Sequence, residues 1–183
     1  MASMLDVTEV PRDIVNTLME RTEGNPFFLE ELLNSLQELR VLSVADGRLL
    51  TAGAIDQITI PATVQAVLRT RIDRLSTEAR TLLLAASVVG RTFTLPLLQR
   101  VLPEQGGLDA LLDGIRQTGL VQQTKVLPEI EYRFKHALVQ DVAYDTLLAH
   151  QRKRLHGAVG EAIEVLYPER ANEQPFMLSL IHI

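Results

Sequence analysis

The sequence predicts a mainly α protein, and three observations support that prediction. Leu, Val, Ala and Ile supply most of the 46% apolar fraction, whereas aromatic residues make up only 4% of the chain, a composition that suits packed helices. Apolar residues recur at helical spacing along most of the sequence. The spacing shortens to two only in brief stretches, which predicts small strands. With 183 residues, the chain is long enough for one large domain or two small ones.

The N-terminal part of the chain predicts two helices and a hairpin. Pro11 suits the first turn of one helix, which a following glycine ends. Asn25 can cap the next helix with Pro26 at its first position, where a missing N–H group has no cost. Two short strands then flank Asp46-Gly47, a pair that forms tight turns because both residues accept positive φ angles.

Pro61 opens a second set of predicted helices. Ser76 can cap a helix that is apolar on nearly all sides and closed by Gly90, so we expect this helix to be the central buried one. Residues 95–102 and 108–118 predict two further short helices, the first bounded by a proline and the second by a glycine.

The stretch over residues 130–148 turns from a strand straight into a helix. Apolar and charged side chains alternate over residues 130–134, and helical spacing begins after His136. An upstream partner strand is available over residues 120–125, separated by a turn that contains Pro128. A helix, a two-stranded hairpin and a second helix together predict the rear half of a winged helix.

These elements predict the division of the chain into domains. We expect a helical subdomain with a short hairpin over residues 1–58, a winged helix with a small two-stranded hairpin over residues 59–149, and a linker helix over residues 150–168. Residues 169–183 form a tail with an apolar end. Such a tail could dock on the body, be non-native, or mark a chain cut within a longer protein, and we favour the cut.

Charge and composition disfavour several classes of function. The formal net charge of -5 argues against a general polyanion binder, because such binding rests on many Lys and Arg side chains. The absence of cysteine excludes disulfides, thiolate metal sites and cysteine nucleophiles. No apolar run approaches the roughly 20 residues that cross a bilayer, and we see no signal peptide. We therefore expect a cytoplasmic protein that binds no membrane.

Five segments resemble the lid and winged-helix part of the STAND class of AAA-like signalling ATPases. The resemblance is to the subgroup joined to adenylate or guanylate cyclase, protein kinase or LuxR-type domains. RTEGNPFFLEELL (residues 21–33) resembles the motif after the ATPase domain, in which a Gly-x-Pro turn opens a lid helix. The other segments resemble the winged-helix region and the lead-in to tetratricopeptide-like repeats: TVQAVLRTRIDRLS, LLLAASVVGRTF, YRFKHALVQDVAYDTLL and QRKRLHGAVGEAIE, which begin at residues 63, 82, 132 and 151.

The resemblance implies a regulatory fragment that has no catalysis of its own. No GxxxxGK[ST] phosphate loop and no strand ending in paired carboxylates occurs, and none of the three lysines, at 125, 135 and 153, follows such a loop. ATP or ADP would be bound by a missing N-terminal nucleotide-binding domain, and the fragment alone would hold no cofactor. The resemblance also implies C-terminal helical repeats as a partner and a homo-oligomer formed on activation.

Two residues of this chain match nucleotide-contacting positions of the STAND class. The resemblance implies that Pro26 packs near the adenine and that His136 approaches the diphosphate. Both residues also have ordinary structural interpretations, Pro26 as a first-turn helix proline and His136 as a histidine that bonds a loop carbonyl. We expect no metal site, because His150 and His156 do not share a helix face and no acidic residue completes a ligand set.

A winged-helix DNA-binding transcriptional regulator is the alternative. The helix before the second hairpin would be its recognition helix, but its charged residues are Asp109, Asp113 and Arg116. A helix of net negative charge is repelled by phosphates, which makes nucleic acid a disfavoured partner.

One further set of charged residues is part of neither the regulatory nor the DNA-binding interpretation. We expect Arg71, Asp73 and Arg74 to form a solvated face with local ion pairs, with a trans-acting arginine as the alternative role.

Overall fold

The computed structural model describes residues 11–45, 48–51, 63–125 and 129–168. Those residues form eight helices and two small antiparallel sheets, which confirms the predicted mainly α class. The chain divides into two compact units, Met1–Arg71 and Ile72–Ile183. The predicted boundary between residues 58 and 59, the break at Pro61 and the tail over residues 169–183 lie outside the described residues.

The first unit contains the predicted helix pair and the predicted hairpin. Asn25 caps the second helix with Pro26 at its first position, as expected. The two strands pair in antiparallel register from Leu42 opposite Thr51 to Ala45 opposite Arg48, although the Asp46-Gly47 turn lies outside the described residues. The elements are helix α1 (Arg12–Thr22), helix α2 (Pro26–Glu38), strand β1 (Leu42–Ala45), strand β2 (Arg48–Thr51) and helix α3 (Val64–Asp73), whose last two residues belong to the second unit.

Apolar side chains from both helices, the hairpin and α3 form the core of the first unit. Each of them is at most 8% exposed, so removing them from water provides the main stabilisation of this unit. The core residues are Ile14, Leu18, Phe28, Leu29, Leu32, Leu33, Leu36, Leu42 and Val67.

The second unit is built around one helix that is buried on nearly every side. Helix α4 (Thr77–Val89) begins at Ser76, whose Oγ accepts a hydrogen bond of 3.2 Å from the Ala79 N–H group. Every residue from Leu82 to Val88 is buried, as its apolar sequence predicts. Around it lie strand β3 (Thr92–Thr94), helices α5 (Leu95–Val101) and α6 (Leu108–Gln117), strands β4 (Val121–Lys125) and β5 (Glu131–Phe134), and helices α7 (Ala137–Thr146) and α8 (Ala149–Leu166).

The sheet of the second unit contains the predicted two-stranded hairpin, β4 and β5, and adds a third strand, β3, that the sequence did not predict. β3 pairs with β5, so the order is β3-β5-β4 and all pairs are antiparallel. Phe93 of β3 is 1% exposed and packs against the rings of Tyr132 and Phe134, with centroid distances of 6.0 and 5.4 Å. A strand of three residues is too short to show a period of two, and its partner lies far along the chain.

Helix α8 packs within the second unit along most of its length. Leu155, Val159 and Ala162 are buried, and α8 contacts α4 and α5. Just beyond its last turn, the Tyr167 hydroxyl donates to a Glu129 carboxylate oxygen at 2.7 Å. The end of α8 is therefore tied to the segment that leads into β5, while its role as a linker to helical repeats stays a prediction.

None of the described helices is both long enough and apolar enough to cross a membrane.

The corner between α7 and α8 contains a half-buried histidine. His156 Nε2 lies 3.0 Å from the Tyr144 hydroxyl, and the Arg152 guanidinium stacks 4.4 Å from the centre of the Tyr144 ring. Burial lowers the pKa of His156 below its ordinary value of 6.5, and the positive charge of Arg152 lowers it further.

Replacing Phe93 tests the third strand. Phe93→Ala removes the side chain that joins β3 to both aromatic rings of β5, so we expect a loss of about 3–5 kcal/mol in the free energy of unfolding. Thr92→Ala on the same strand is exposed and should change it by less than about 0.5 kcal/mol. Urea unfolding followed by tyrosine fluorescence measures both variants. Equal stabilities would contradict the packing of β3 on β5.

The histidine at the α7–α8 corner predicts a pH dependence of stability. Because its pKa is lower in the folded chain, the unfolded chain binds the proton first as the pH falls below about 6.5. The contribution of His156 is present above that pH and is lost as the pH falls through the folded-state pKa. We expect His156→Gln to flatten the decline of the free energy of unfolding between about pH 7 and 5.

A second variant at the same corner tests whether burial or the hydrogen bond with Tyr144 lowers the pKa of His156. Tyr144→Phe removes the hydroxyl partner but keeps the ring, and burial is the larger cause of the lowered pKa. This variant should keep the pH dependence of the parent chain. If His156→Gln also keeps the pH dependence of the parent chain, His156 does not contribute to that dependence.

Candidate functional site

Pro26 stands at a sharply defined turn between α1 and α2. Glu23 and Gly24 both have positive φ angles, of 50° and 72°, which end α1 and reverse the chain. The Asn25 side-chain oxygen then accepts from the N–H groups of Phe27 and Phe28 at 3.0 and 3.2 Å. This cap holds Pro26 at the first helical position, where its ring is exposed.

His136 lies at the predicted junction between β5 and α7. It is the N-cap residue of α7, with an extended backbone of φ -131° and ψ 148°, and its side chain does not cap the helix. Its carbonyl instead accepts from the Val139 N–H group at 3.1 Å. The half-buried imidazole is therefore beside the N-terminal end of a ten-residue helix, where the partial positive charge of the helix favours anions.

Pro26 and His136 belong to different compact units of the chain. Each is therefore placed by the local structure of its own unit. Pro26 depends on the Asn25 cap in the first unit, and His136 depends on the end of β5 in the second.

The structure adds a buried ion network that the sequence did not reveal. Arg71, the last residue of the first unit, is only 2% exposed, and Glu31 is 0% exposed. Arg71 donates through Nη1 to Glu31, and through Nε and Nη2 to one oxygen of Glu38 at 3.0 and 2.8 Å. Both glutamates are on α2, so the network joins α3 to α2.

The prediction that Arg71 belongs to a solvated face was wrong. Asp73 and Arg74 are exposed as expected, and Asp73 pairs with Arg80 at 3.2 Å. The Arg71 guanidinium instead lies inside the first unit between two carboxylates, which also removes it as a candidate for a trans-acting arginine. One signal was available: Glu31 interrupts the apolar stripe of α2, and a buried carboxylate requires a cationic partner.

Parts of this chain are similar in sequence to known proteins. Residues 1–49 match a family described as a domain of unknown function (DUF8739). The chain is 28% identical to "Uncharacterized protein R02095" of Rhizobium meliloti (strain 1021), across 82% of this chain and 14% of that protein. It is 24% and 26% identical to adenylate cyclase type 10 of Mus musculus and of Rattus norvegicus, in each case across 54% of this chain and 8% of the relative. The chain thus spans a small fraction of the proteins that it matches.

Breaking the buried ion network should destabilise the first unit. Arg71→Met removes the cation that donates to buried Glu31, so we expect a loss of about 3–5 kcal/mol in the free energy of unfolding. Arg69→Met, at an exposed position of the same helix, should change it by less than about 0.5 kcal/mol. Urea unfolding followed by far-UV circular dichroism compares the two.

A double variant shows whether the loss of stability comes from breaking the buried ion pair. Glu31→Leu combined with Arg71→Met removes both buried charges and should recover most of the stability, because an apolar pair of similar volume replaces a buried ion pair at little cost. A double variant no more stable than Arg71→Met would contradict this explanation.

Proposed function

We propose that this chain is a non-catalytic regulatory segment of a STAND-type signalling ATPase. In this role it couples the nucleotide state of a preceding ATPase domain to effector and sensor domains. The observation that carries the proposal is the position of His136 at a strand-to-helix junction. The resemblance to the STAND class implies that this histidine approaches the diphosphate.

The order of elements in the second unit supports the proposal. Helix α4, strand β3, helices α5 and α6 and the β4–β5 hairpin follow one another, and this is the order of elements in a winged helix. The antiparallel order β3-β5-β4 suits the same arrangement. A winged helix at this point of the chain is what the resemblance implies.

The chemistry of His136 suits a nucleotide sensor. A histidine titrates near neutral pH and can donate a hydrogen bond to a phosphate oxygen. The adjoining N-terminus of α7 adds N–H groups and a partial positive charge. ADP and ATP differ in the number and charge of their phosphates, so a contact of this kind would differ between the two nucleotide states.

Pro26 contributes a rigid apolar surface in the same scheme. Its ring is exposed, and the Asn25 cap fixes the backbone that carries it. A proline at a helix start presents a surface of fixed shape, because its φ angle is locked. That surface suits the flat face of a purine.

The lengths of the relatives agree with a segment of a longer protein. This chain covers 14% of the Rhizobium meliloti protein and 8% of the mammalian cyclases, which leaves room in such proteins for nucleotide-binding, effector and repeat domains. The cyclase similarity is consistent with the cyclase-associated subgroup. In this scheme the partners are an N-terminal nucleotide-binding domain, C-terminal helical repeats and further copies of the protein, and the protein acts in the cytoplasm.

The rival function, a winged-helix DNA-binding regulator, has weaker support. Asp109 and Asp113 are exposed on α6, the helix that would enter the major groove. Burial raises the pKa of Tyr132, the negative charges of Asp113 and Asp109 raise it further, and the positive charge of Arg116 lowers it. DNA phosphates would be repelled at this helix.

A longer protein that includes the preceding ATPase domain tests the sensor role of His136. His136→Ala should change the ratio of ADP to ATP affinity by about tenfold, because a hydrogen bond to a charged phosphate is lost from one state more than from the other. Isothermal titration calorimetry with each nucleotide measures the ratio. His150→Ala removes an exposed histidine of α8 and should leave it unchanged. An unaltered ratio in His136→Ala would remove the sensor role.

A further inference from the structure

A basic groove of about 490 Å³ runs along strand β4 in the second unit. Three cationic side chains line it, from Arg116 at the end of α6, Lys125 at the end of β4 and Lys135 after β5. The amide side chains of Gln122 and Gln123 lie between them, and none of the residues lining the groove is acidic. The lining of the groove thus carries three positive charges on a chain whose formal net charge is -5.

The groove follows an open edge of the sheet. β4 is the outer strand in the order β3-β5-β4, and no described strand lies beyond it. The Lys135 N–H group donates to the Leu120 carbonyl at 3.0 Å. Because successive residues of an antiparallel strand face alternate neighbours, the backbone N–H and C=O groups of Gln123 point away from β5. Gln123 is exposed, so these groups are accessible to an added segment.

The open edge of β4 is short, so charged side chains must supply most of the attraction for an added segment. The register shifts between Gln123 and Lys125, and such a bulge interrupts regular pairing. Arg116 pairs with exposed Asp113 at 3.2 Å, and Lys125 pairs with Glu131 at 3.4 Å. Both cations are exposed in these pairs, and ion pairs at the surface contribute little, so both cations can exchange these partners for carboxylates of another molecule.

We propose that this groove binds an extended acidic peptide segment of a protein partner. Carboxylates of the segment would meet Arg116 and Lys125, while its backbone reaches the edge of β4 at Gln123. A single nucleic-acid strand fits less well, because no aromatic side chain lines the groove to stack on bases. A duplex fits less well, because it has no peptide backbone to pair with the edge of β4 at Gln123. The inference does not depend on the proposed nucleotide sensing.

Fluorescence anisotropy with the complete 183-residue chain tests the groove. The probe is a fluorescein-labelled peptide of about eight residues in which Glu alternates with Thr, long enough to span β4. We expect saturable binding that weakens about tenfold in the double variant Arg116→Gln with Lys125→Gln. The control double variant, Arg100→Gln with Lys153→Gln, removes the same charge from exposed positions outside the groove. It should bind within about twofold of the parent.

A second measurement leaves the protein unchanged. A matched peptide with Gln in place of every Glu should bind at least about tenfold more weakly to the parent chain, because its carboxylates are gone. Equal binding of the two peptides would overturn the proposal, as would equal losses in the two double variants. A duplex oligonucleotide that binds more tightly than the acidic peptide, and is lost with Arg116→Gln and Lys125→Gln, would assign the groove to nucleic acid instead.

Discussion

The second unit depends on the burial of helix α4. Apolar residues occupy every side of this helix between Leu82 and Val88, so no face can be left to water without a large loss of hydrophobic stabilisation. Helices α6, α7 and α8 contact it, and Phe93, close to its end, anchors the sheet. The junction that carries His136 is therefore held by elements that pack on one common helix.

Among the described residues, the first unit differs from the second because it contains a buried charged side chain. Arg71 lies between Glu31 and Glu38 with almost no exposure to solvent. A buried ion pair provides little net stability over an apolar pair, yet it tolerates few alternative arrangements because each charge requires its partner. The network thus specifies how α3 docks on α2 at the point where the first unit ends. Specificity of this kind suits a segment whose proposed role is to transmit a state between domains.

The proposed functions use surfaces of different character. The nucleotide-sensing role rests on a single imidazole at a helix start and on a rigid proline in the other unit. The peptide-binding role rests on cations from α6, β4 and the end of β5, beside a strand edge. A chain with a formal net charge of -5 thereby presents a groove lined by three cations, which suits an acidic protein segment.

The sequence by itself determined the local features of this protein. Four features follow from residues within a few positions of one another, because caps and hydrophobic periods are local patterns. They are the Asn25 cap with Pro26 behind it, the continuous burial of α4, the strands β4 and β5, and the position of His136. Only the tertiary structure decided the rest. Strand β3 exists because it pairs with a β5 far along the chain, and Arg71 is buried because two glutamates of α2 accept its hydrogen bonds. Such partners meet only when the fold closes, so no local pattern records them.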